Sequence, residues 1–464
     1  MIIRLALRSL AVRPIRTAVL ACGFGLGIAV MAALLGVGDV ILEQARSPEL
    51  SGGGDMLVLG AFGSIENAPF VLSTVRALAP TASPARRATV YLMTEGGSIP
   101  VIARGGVPSL EKSVGDREVK NVAAWVDAPA DARWKHVDPG GVLRALDRFH
   151  AEPDVPEFAA SWAEWLYFNG RTSDGRARFY LTFLVGPSTR FARSGQGPLR
   201  PGFRSAGVRL QLDRDGRTTN YSAPAEVDER TVLDKAPDLD IGGSSVRLDG
   251  QRYQIALRLP GATGELTLDP APGRALPPAV LRGARGWLSG YVVPVLSGTL
   301  SGTLNVGGDS VRFENATGYH DHNWGFWRDV RWQWGQVSGA DLSFIYGRVF
   351  PPADVAAADR IPGFLGILDE RGLVGVATNV SIAEHRAAGD AAAAPPSIDV
   401  SARGSGLDLR LTFATDRSVR TALSMTGGAT DFLQLGGTYR VEGRAAGRQI
   451  NFTARGAAET FQPH

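Results

Sequence analysis

From Trp162 onward, apolar and polar residues alternate in short runs broken by Asp-Gly and Gly-Gly pairs. That period of two predicts antiparallel strands, and the Asp-Gly pairs suit the positive φ angles of tight hairpins. Strands are expected over 165–169, 177–185, 208–213, 253–259, 298–306, 342–349, 373–381, 407–414 and 439–452, with turns at Asp174-Gly175, Asp215-Gly216 and Asp249-Gly250. So many short strands in succession imply barrels or sandwiches that close or cover their edges. The fold is therefore expected to be mainly β, with one β-unit over 140–290 and a second over 291–464. Before them the pattern differs. Residues 46–139 mix short apolar runs with Gly and Pro and read as a small α+β segment with a linker, and 142–150 reads as a short helix ending at His150, a surface or packing residue.

The first 45 residues follow a third pattern. No charged side chain lies between Thr17 and Gly38, and a helix of that length spans roughly 33 Å, enough for a hydrocarbon core of about 30 Å. Arg4, Arg8, Arg13 and Arg16 precede the run, while Asp39, Glu43 and Glu49 follow it. The positive-inside bias then leaves the N-terminus in the cytoplasm and sends the rest of the chain outside. The reading is a single-pass inner-membrane anchor with a periplasmic C-terminal part; the run is longer than a signal-peptide core of ~7–15 residues.

Composition narrows the function classes. The chain is 44% hydrophobic and 20% charged with a formal charge of +3, which fits a globular protein whose scattered basic residues give no footprint for nucleic acid. The single cysteine, Cys22, excludes an intrachain disulfide and a cysteine-based zinc site. Ser51-Gly52-Gly53-Gly54 lacks the lysine of a phosphate loop and reads as a linker.

The chemistry concentrates at Gly318-Tyr319-His320-Asp321-His322-Asn323-Trp324-Gly325 and the tryptophans after it, for two of the six histidines and four of the nine tryptophans lie between His320 and Trp334. If extended, this stretch puts His320, His322 and Trp324 on one face and Tyr319, Asp321 and Asn323 on the other. Trp332-Gln333-Trp334 repeats the alternation, and Trp327 lies between them. Indoles lining a cavity suit an apolar ligand and can stabilise a cation. A histidine, or a buried aspartic acid with a raised pKa, can donate a proton there. His320 and His322 find no clustered third ligand, so neither metal nor cofactor is expected. A purely architectural reading stands beside the chemical one: polar side chains that fix a strand crossing, with tryptophans as core.

Two resemblances add to this. The run Arg13-Pro14-Ile15-Arg16-Thr17-Ala18 followed by Gly23-Phe24-Gly25-Leu26-Gly27 resembles the start of ABC-exporter permeases of the lipoprotein-release and macrolide-export type, which implies work beside a permease and its ATPase. Glu164-Trp165-Leu166-Tyr167-Phe168-Asn169-Gly170 and the Gly318–325 stretch resemble the lipocalin-like hydroxyneurosporene synthase (carotenoid 1,2-hydratase) family over about residues 140 to 455. That resemblance implies two tandem lipocalin-like barrels and an apolar, isoprenoid or lipid ligand. For some members it also implies addition of water to a terminal isoprenoid double bond, or cyclisation. On it, His322, Asp321 and Trp324 become candidate catalytic residues. Tyr319, His320, Trp327, Trp332, Trp334, Tyr346, Arg348, Trp165 and Tyr167 become candidate ligand contacts. Tyr346-Gly347-Arg348 has an arginine where the carotenoid hydratases carry an acid, and that arginine could greet a carboxylate or phosphate. The functions implied are binding of an apolar ligand or, alternatively, its hydration or cyclisation.

Overall fold

The computed structural model describes residues 67–462 apart from short stretches, chiefly 189–199 and 387–392, and a few isolated positions before 67. The apolar run 17–38, with Cys22, lies outside the described residues. Among the described residues no helix is long and apolar enough to cross a membrane.

The chain divides into two compact units. The described part of the first holds a hairpin, β1 (Ala85–Thr94) and β2 (Gly97–Gly106), and the short helix Pro108–Ser113, the α+β character expected of this segment. Buried Glu111 ties it together, accepting from Ser83 Oγ at 2.7 Å and ion-pairing with Arg104.

The second unit comprises residues 66–77 and 137–464. After the helix Pro139–Leu146 come β3 (Trp162–Arg171), β4 (Ala177–Ser188), β5 (Phe203–Arg214), β6 (Arg217–Asp228), β7 (Leu239–Ile241), β8 (Ser244–Asp249), β9 (Arg252–Leu259), β10 (Ala262–Pro270), β11 (Leu276–Arg282), β12 (Leu288–Val306) and β13 (Asp309–Phe326). They form one antiparallel sheet in the order β6-β5-β4-β3-β13-β12-β10-β9-β8-β7, with β11 paired to β12. A second sheet follows: β14 (Arg331–Ser338), β15 (Ser343–Phe350), β16 (Phe364–Asp369), β17 (Gly372–Ala377), β18 (Asn379–His385), β19 (Ser397–Gly404), β20 (Leu407–Met425), β21 (Gly428–Ala445) and β22 (Arg448–Gln462). Its order is β17-β16-β15-β14-β22-β21-β20-β19-β18. Both sheets are nearly closed and barrel-like. The predicted hairpin tips occur where expected, with Gly175, Gly216 and Gly250 at φ of 74°, 79° and 59°.

The sheets change over between Phe326 and Arg331, beyond the division expected near residue 290. The reason is pairing: Trp162–Arg171 needs a partner, and residues 317–326 supply it in one unbroken antiparallel register. The long hairpin of β12 and β13 therefore completes the first sheet.

Each sheet encloses its own core. Leu166, Phe168, Phe179, Phe183, Tyr253 and Phe326 are among the side chains filling the first, and Phe344, Leu365, Phe413 and Tyr439 among those filling the second. A third apolar layer, with Tyr167, Tyr180, Tyr319, Trp334 and Ile345, packs the outer face of one sheet against that of the other. At about 25 cal/mol per Å² of apolar area, three such layers supply the main driving force for the unit.

Candidate active site

Strand β13 organises the site because its two faces meet two different environments. Inward, His320, His322 and Trp324 enter the packed core of the first barrel, and both histidines are 0% exposed. Outward, Tyr319, Asp321 and Asn323 face the second sheet. The alternation read from the sequence is the alternation observed.

The inward face is a chain of imidazoles and carboxylates. Asp147, just past the helix Pro139–Leu146, lies 2.8 Å from His320 Nε2 and 3.0 Å from His322 Nδ1. His320 Nδ1 donates to the Tyr167 carbonyl at 3.0 Å. His322 Nε2 is 2.9 Å from Glu164, which also accepts from His150 Nδ1 at 2.7 Å and from the His150 backbone N–H. Phe168 stacks on His320 with centroids 4.0 Å apart, and Trp324 stacks on His150 at 4.1 Å. Burial alone would raise the Asp147 pKa, but the charge and hydrogen bonds of His320 and His322 hold it well below the usual carboxylate range. Burial likewise opposes charging His322, yet its bonds to Asp147 and Glu164 outweigh this and bring its pKa to about 9. The result is an imidazolium clamped between two carboxylates.

His150, Glu164 and His322 offer three ligand atoms within 4.8 Å of one another. Both His322 nitrogens carry protons toward carboxylate oxygens, however, and a metal would need one of them bare. The residues fit a hydrogen-bonded network better than a metal centre.

The outward face borders a cavity of about 900 Å³ between the two sheets, a size that suits an organic ligand. The barrel interior, by contrast, is filled, so the cavity sits outside the barrels rather than within one. Trp165, Tyr167, Asp321, Trp327, Trp332, Trp334 and Arg348 all contribute to its wall. The indoles of Trp165 and Trp327 approach to 4.5 Å, and those of Trp327 and Trp332 to 5.8 Å. Tyr319 stands behind Asp321 and donates to its Oδ2 at 2.8 Å, while Asn323 Nδ2 donates to Oδ1 at 2.8 Å. Tyr291 Oη is 2.9 Å from Tyr319 Oη and accepts from Trp334 Nε1 at 2.8 Å.

Two carboxyl groups therefore face an aromatic cavity. Burial, then the neighbouring Glu459 carboxylate, push the Asp321 pKa well above its ordinary value against the pull of the Tyr319 and Asn323 donors. Burial also lifts Glu459 to about 7, although Trp332 Nε1 and Tyr167 Oη donate to it at 3.2 and 3.1 Å. Asp321 is thus biased toward its neutral acid form, and Glu459, at about 7, is poised between acid and base.

The remaining sequence-derived candidates divide. His320, His322 and Trp324 are gathered in the inward network, one sheet thickness from the cavity. Tyr346 lies in the second core with its hydroxyl 3.0 Å from that of Tyr439. Arg348 donates from Nη2 to the Ala358 carbonyl at 3.0 Å and covers the Phe350 ring. Sequence reasoning missed Asp147, Glu459 and Tyr291 as site residues. None sits in a motif, and strand pairing alone brings them together. Glu164 opens a motif already singled out, and its position opposite Trp324 is the signal that could have found it.

The structure thus defines a two-barrel antiparallel β-protein whose barrels share an acid-floored aromatic cavity. No family model matches the chain, and no curated protein matches it. Solved structures do. A Nitrosomonas europaea protein given the AttH name is 18% identical over 68% of this chain and 98% of its own, with a TM-score of 0.41. Kievitone hydratase from Nectria haematococca is 11% identical over 68% of this chain and 92% of its own, with a TM-score of 0.43. CghA is 12% identical over 68% of this chain and 94% of its own, with a TM-score of 0.46.

Proposed function

We propose that the second unit binds an apolar, alkene-bearing ligand of isoprenoid or lipid type between its barrels and adds a proton to it, leading to hydration or cyclisation. The observation that carries this reading is the placement of two buried carboxyl groups, Asp321 and Glu459, on the wall of one indole-lined cavity, with burial favouring the protonated form of Asp321. Asp321 gives its proton to one carbon of a C=C bond, and the π pair becomes the new C–H bond. The positive charge left on the other carbon is stabilised by the π faces of the surrounding indoles. Water adds through an oxygen lone pair and releases a proton to the Glu459 carboxylate, leaving an alcohol. Protons from solvent reset Asp321 while Glu459 releases its own, so the overall change is alkene plus water to alcohol. Where a second double bond of the same ligand attacks instead of water, its π pair forms the ring C–C bond, and the cation this leaves loses an adjacent proton to the Glu459 carboxylate, giving a cyclised isomer.

A binding role without turnover is supported by the same cavity. Incubation of the protein with trisubstituted isoprenoid alkenes in heavy-oxygen water separates the two. A labelled alcohol or a cyclised isomer is the expected product. Retention of ligand by native mass spectrometry with no product would leave binding alone, and the absence of both product and retained ligand would overturn the cavity reading. Anchoring through residues 17–38, in the manner of the permease-like start, would hold this cavity near a bilayer where such ligands concentrate.

The acid–base pair gives a pH profile. Glu459 must be ionised to accept water's proton, so activity should rise through about pH 7 and fall again as Asp321 loses its proton. Glu459→Gln is expected to remove the acidic limb. It also removes the negative charge that helps hold Asp321 protonated, so the alkaline limb should move to lower pH. An unchanged profile in this variant would take Glu459 out of the mechanism.

A further inference from the structure

Arg209 lies in the same cross-strand row as Asp321. Strand pairing runs from Arg209 on β5 to Thr182 on β4, to Tyr167 on β3, to Asp321 on β13. Arg209, Thr182, Tyr167 and Asp321 all border the cavity. Three strand spacings separate the ends of the row, roughly 14 Å between the two backbone positions. Val208 and Leu210 point into the first core, so Arg209 points out, toward the second sheet.

Its surroundings are short of negative charge. Nη2 meets Gln211 Oε1 at 3.4 Å, Asn220 Oδ1 at 3.4 Å and Thr421 Oγ1 at 3.3 Å. All three acceptors are neutral, and all three contacts are at the long end for an N–H donor. The half-buried guanidinium has burial as the one cause acting on its pKa, which is lowered, with no carboxylate offsetting it. Two of these acceptors, Thr421 and Gln211, are themselves engaged. Thr421 Oγ1 donates to Gln211 Oε1 at 3.2 Å, Gln211 Nε2 to Gln434 Oε1 at 2.7 Å, and Gln434 Nε2 to Tyr167 Oη at 3.2 Å. A polar rail therefore runs from Arg209 to Tyr167 and on to Glu459, and it fixes the cation at one end and the acid at the other. A planar guanidinium so placed matches a carboxylate or phosphate, which would supply the short, charge-assisted bonds that the protein does not.

We propose that Arg209 anchors an anionic head group, a carboxylate or a phosphate, on the ligand whose apolar body lies along the indoles and whose reacting double bond reaches Asp321. This deepens the function proposed above and rests on it. The ligand class it specifies is an amphipathic chain with an anionic group at one end and an alkene along its apolar body.

Titration calorimetry of the full chain with oleate, methyl oleate and oleyl phosphate tests the proposal. Oleate is expected to bind roughly ten- to a hundred-fold more tightly than its methyl ester. Arg209→Met should abolish that preference while leaving the ester's affinity unchanged, and Arg209→Lys should retain part of it. Tighter binding of oleyl phosphate than of oleate assigns a phosphate head, and weaker binding a carboxylate. Equal affinities for acid and ester in the unaltered protein, or equal losses for both in Arg209→Met, would overturn the role of Arg209 while leaving the apolar cavity intact. No binding of any of the three overturns the cavity reading itself, and the head-group assignment with it.

Discussion

Asp147→Asn is expected to destabilise the second unit by roughly 3–5 kcal/mol, the cost of breaking a buried ion pair by removing one partner. The side chain keeps its shape, so no cavity contributes. What changes is that His322, clamped between two carboxylates 3.0 and 2.9 Å away, keeps one of them, and an amide now faces imidazole N–H groups. Thermal unfolding should move down by on the order of 10 °C. The effect has a pH window with a definite sign. Asp147 is depressed from its ordinary 3.8, so its contribution is present above that value and lost as pH falls through the folded pKa. His322 is raised from 6.5 to about 9, so its contribution is complete below 6.5 and lost as pH rises through about 9. The difference between the two proteins should therefore be greatest between roughly pH 4 and 6.5 and shrink toward alkaline pH. A variant as stable as the parent across that window would mean that the network carries no net stability.

Asp321→Asn is expected to fold, to bind ligand, and to lose turnover by roughly a hundred- to ten-thousand-fold, the span attributed to a positioned general acid. Asparagine retains an oxygen for one of the Tyr319 and Asn323 donors and fills the same space, so the cavity wall survives. The proton does not. Binding measured by native mass spectrometry and turnover measured as alcohol or cyclised product should part company in this variant. If turnover persists, the acid lies elsewhere and the proposed chemistry fails, although the binding role would remain. The same logic separates Asp321 from His322. The histidine faces the first core with 0% exposure, so its loss should act through stability, before any effect on catalysis.

Much of this arrangement was legible in the chain. Alternation in Gly318–325 correctly divided Tyr319, Asp321 and Asn323 from His320, His322 and Trp324, because side-chain direction in a strand depends on the backbone alone. Asp-Gly pairs marked the hairpin tips for an equally local reason. The two stretches singled out for resemblance are direct neighbours, with His320 opposite Phe168 and His322 opposite Leu166. What periodicity does not contain is which face of a sheet another sheet covers. Alternation alone is equally compatible with a cavity inside a barrel, a space that Phe168, Phe183 and Tyr253 fill. Nor does it contain long-range partners: Asp147 reaches His322 across 175 residues, and Glu459 reaches Tyr167 across 292. Single carboxylates on separate elements carry no local signal, whatever their final role.

The two faces of β13 make its register as consequential as a reading frame. Sliding residues 309–326 by one position would carry the imidazolium chain to the cavity and bury the acid among aromatic side chains, so neither half would survive a single insertion or deletion. The strand is held against such slippage by close fits rather than by hydrogen bonds alone. A Cβ at Gly290 would meet the Trp324 indole at 2.0 Å, and Gly325, at φ of 143°, leaves only 2.6 Å to the Leu288 carbonyl. A single-residue insertion or deletion within β13 is thus expected to disrupt both faces at once, whereas one at a hairpin tip or loop is not.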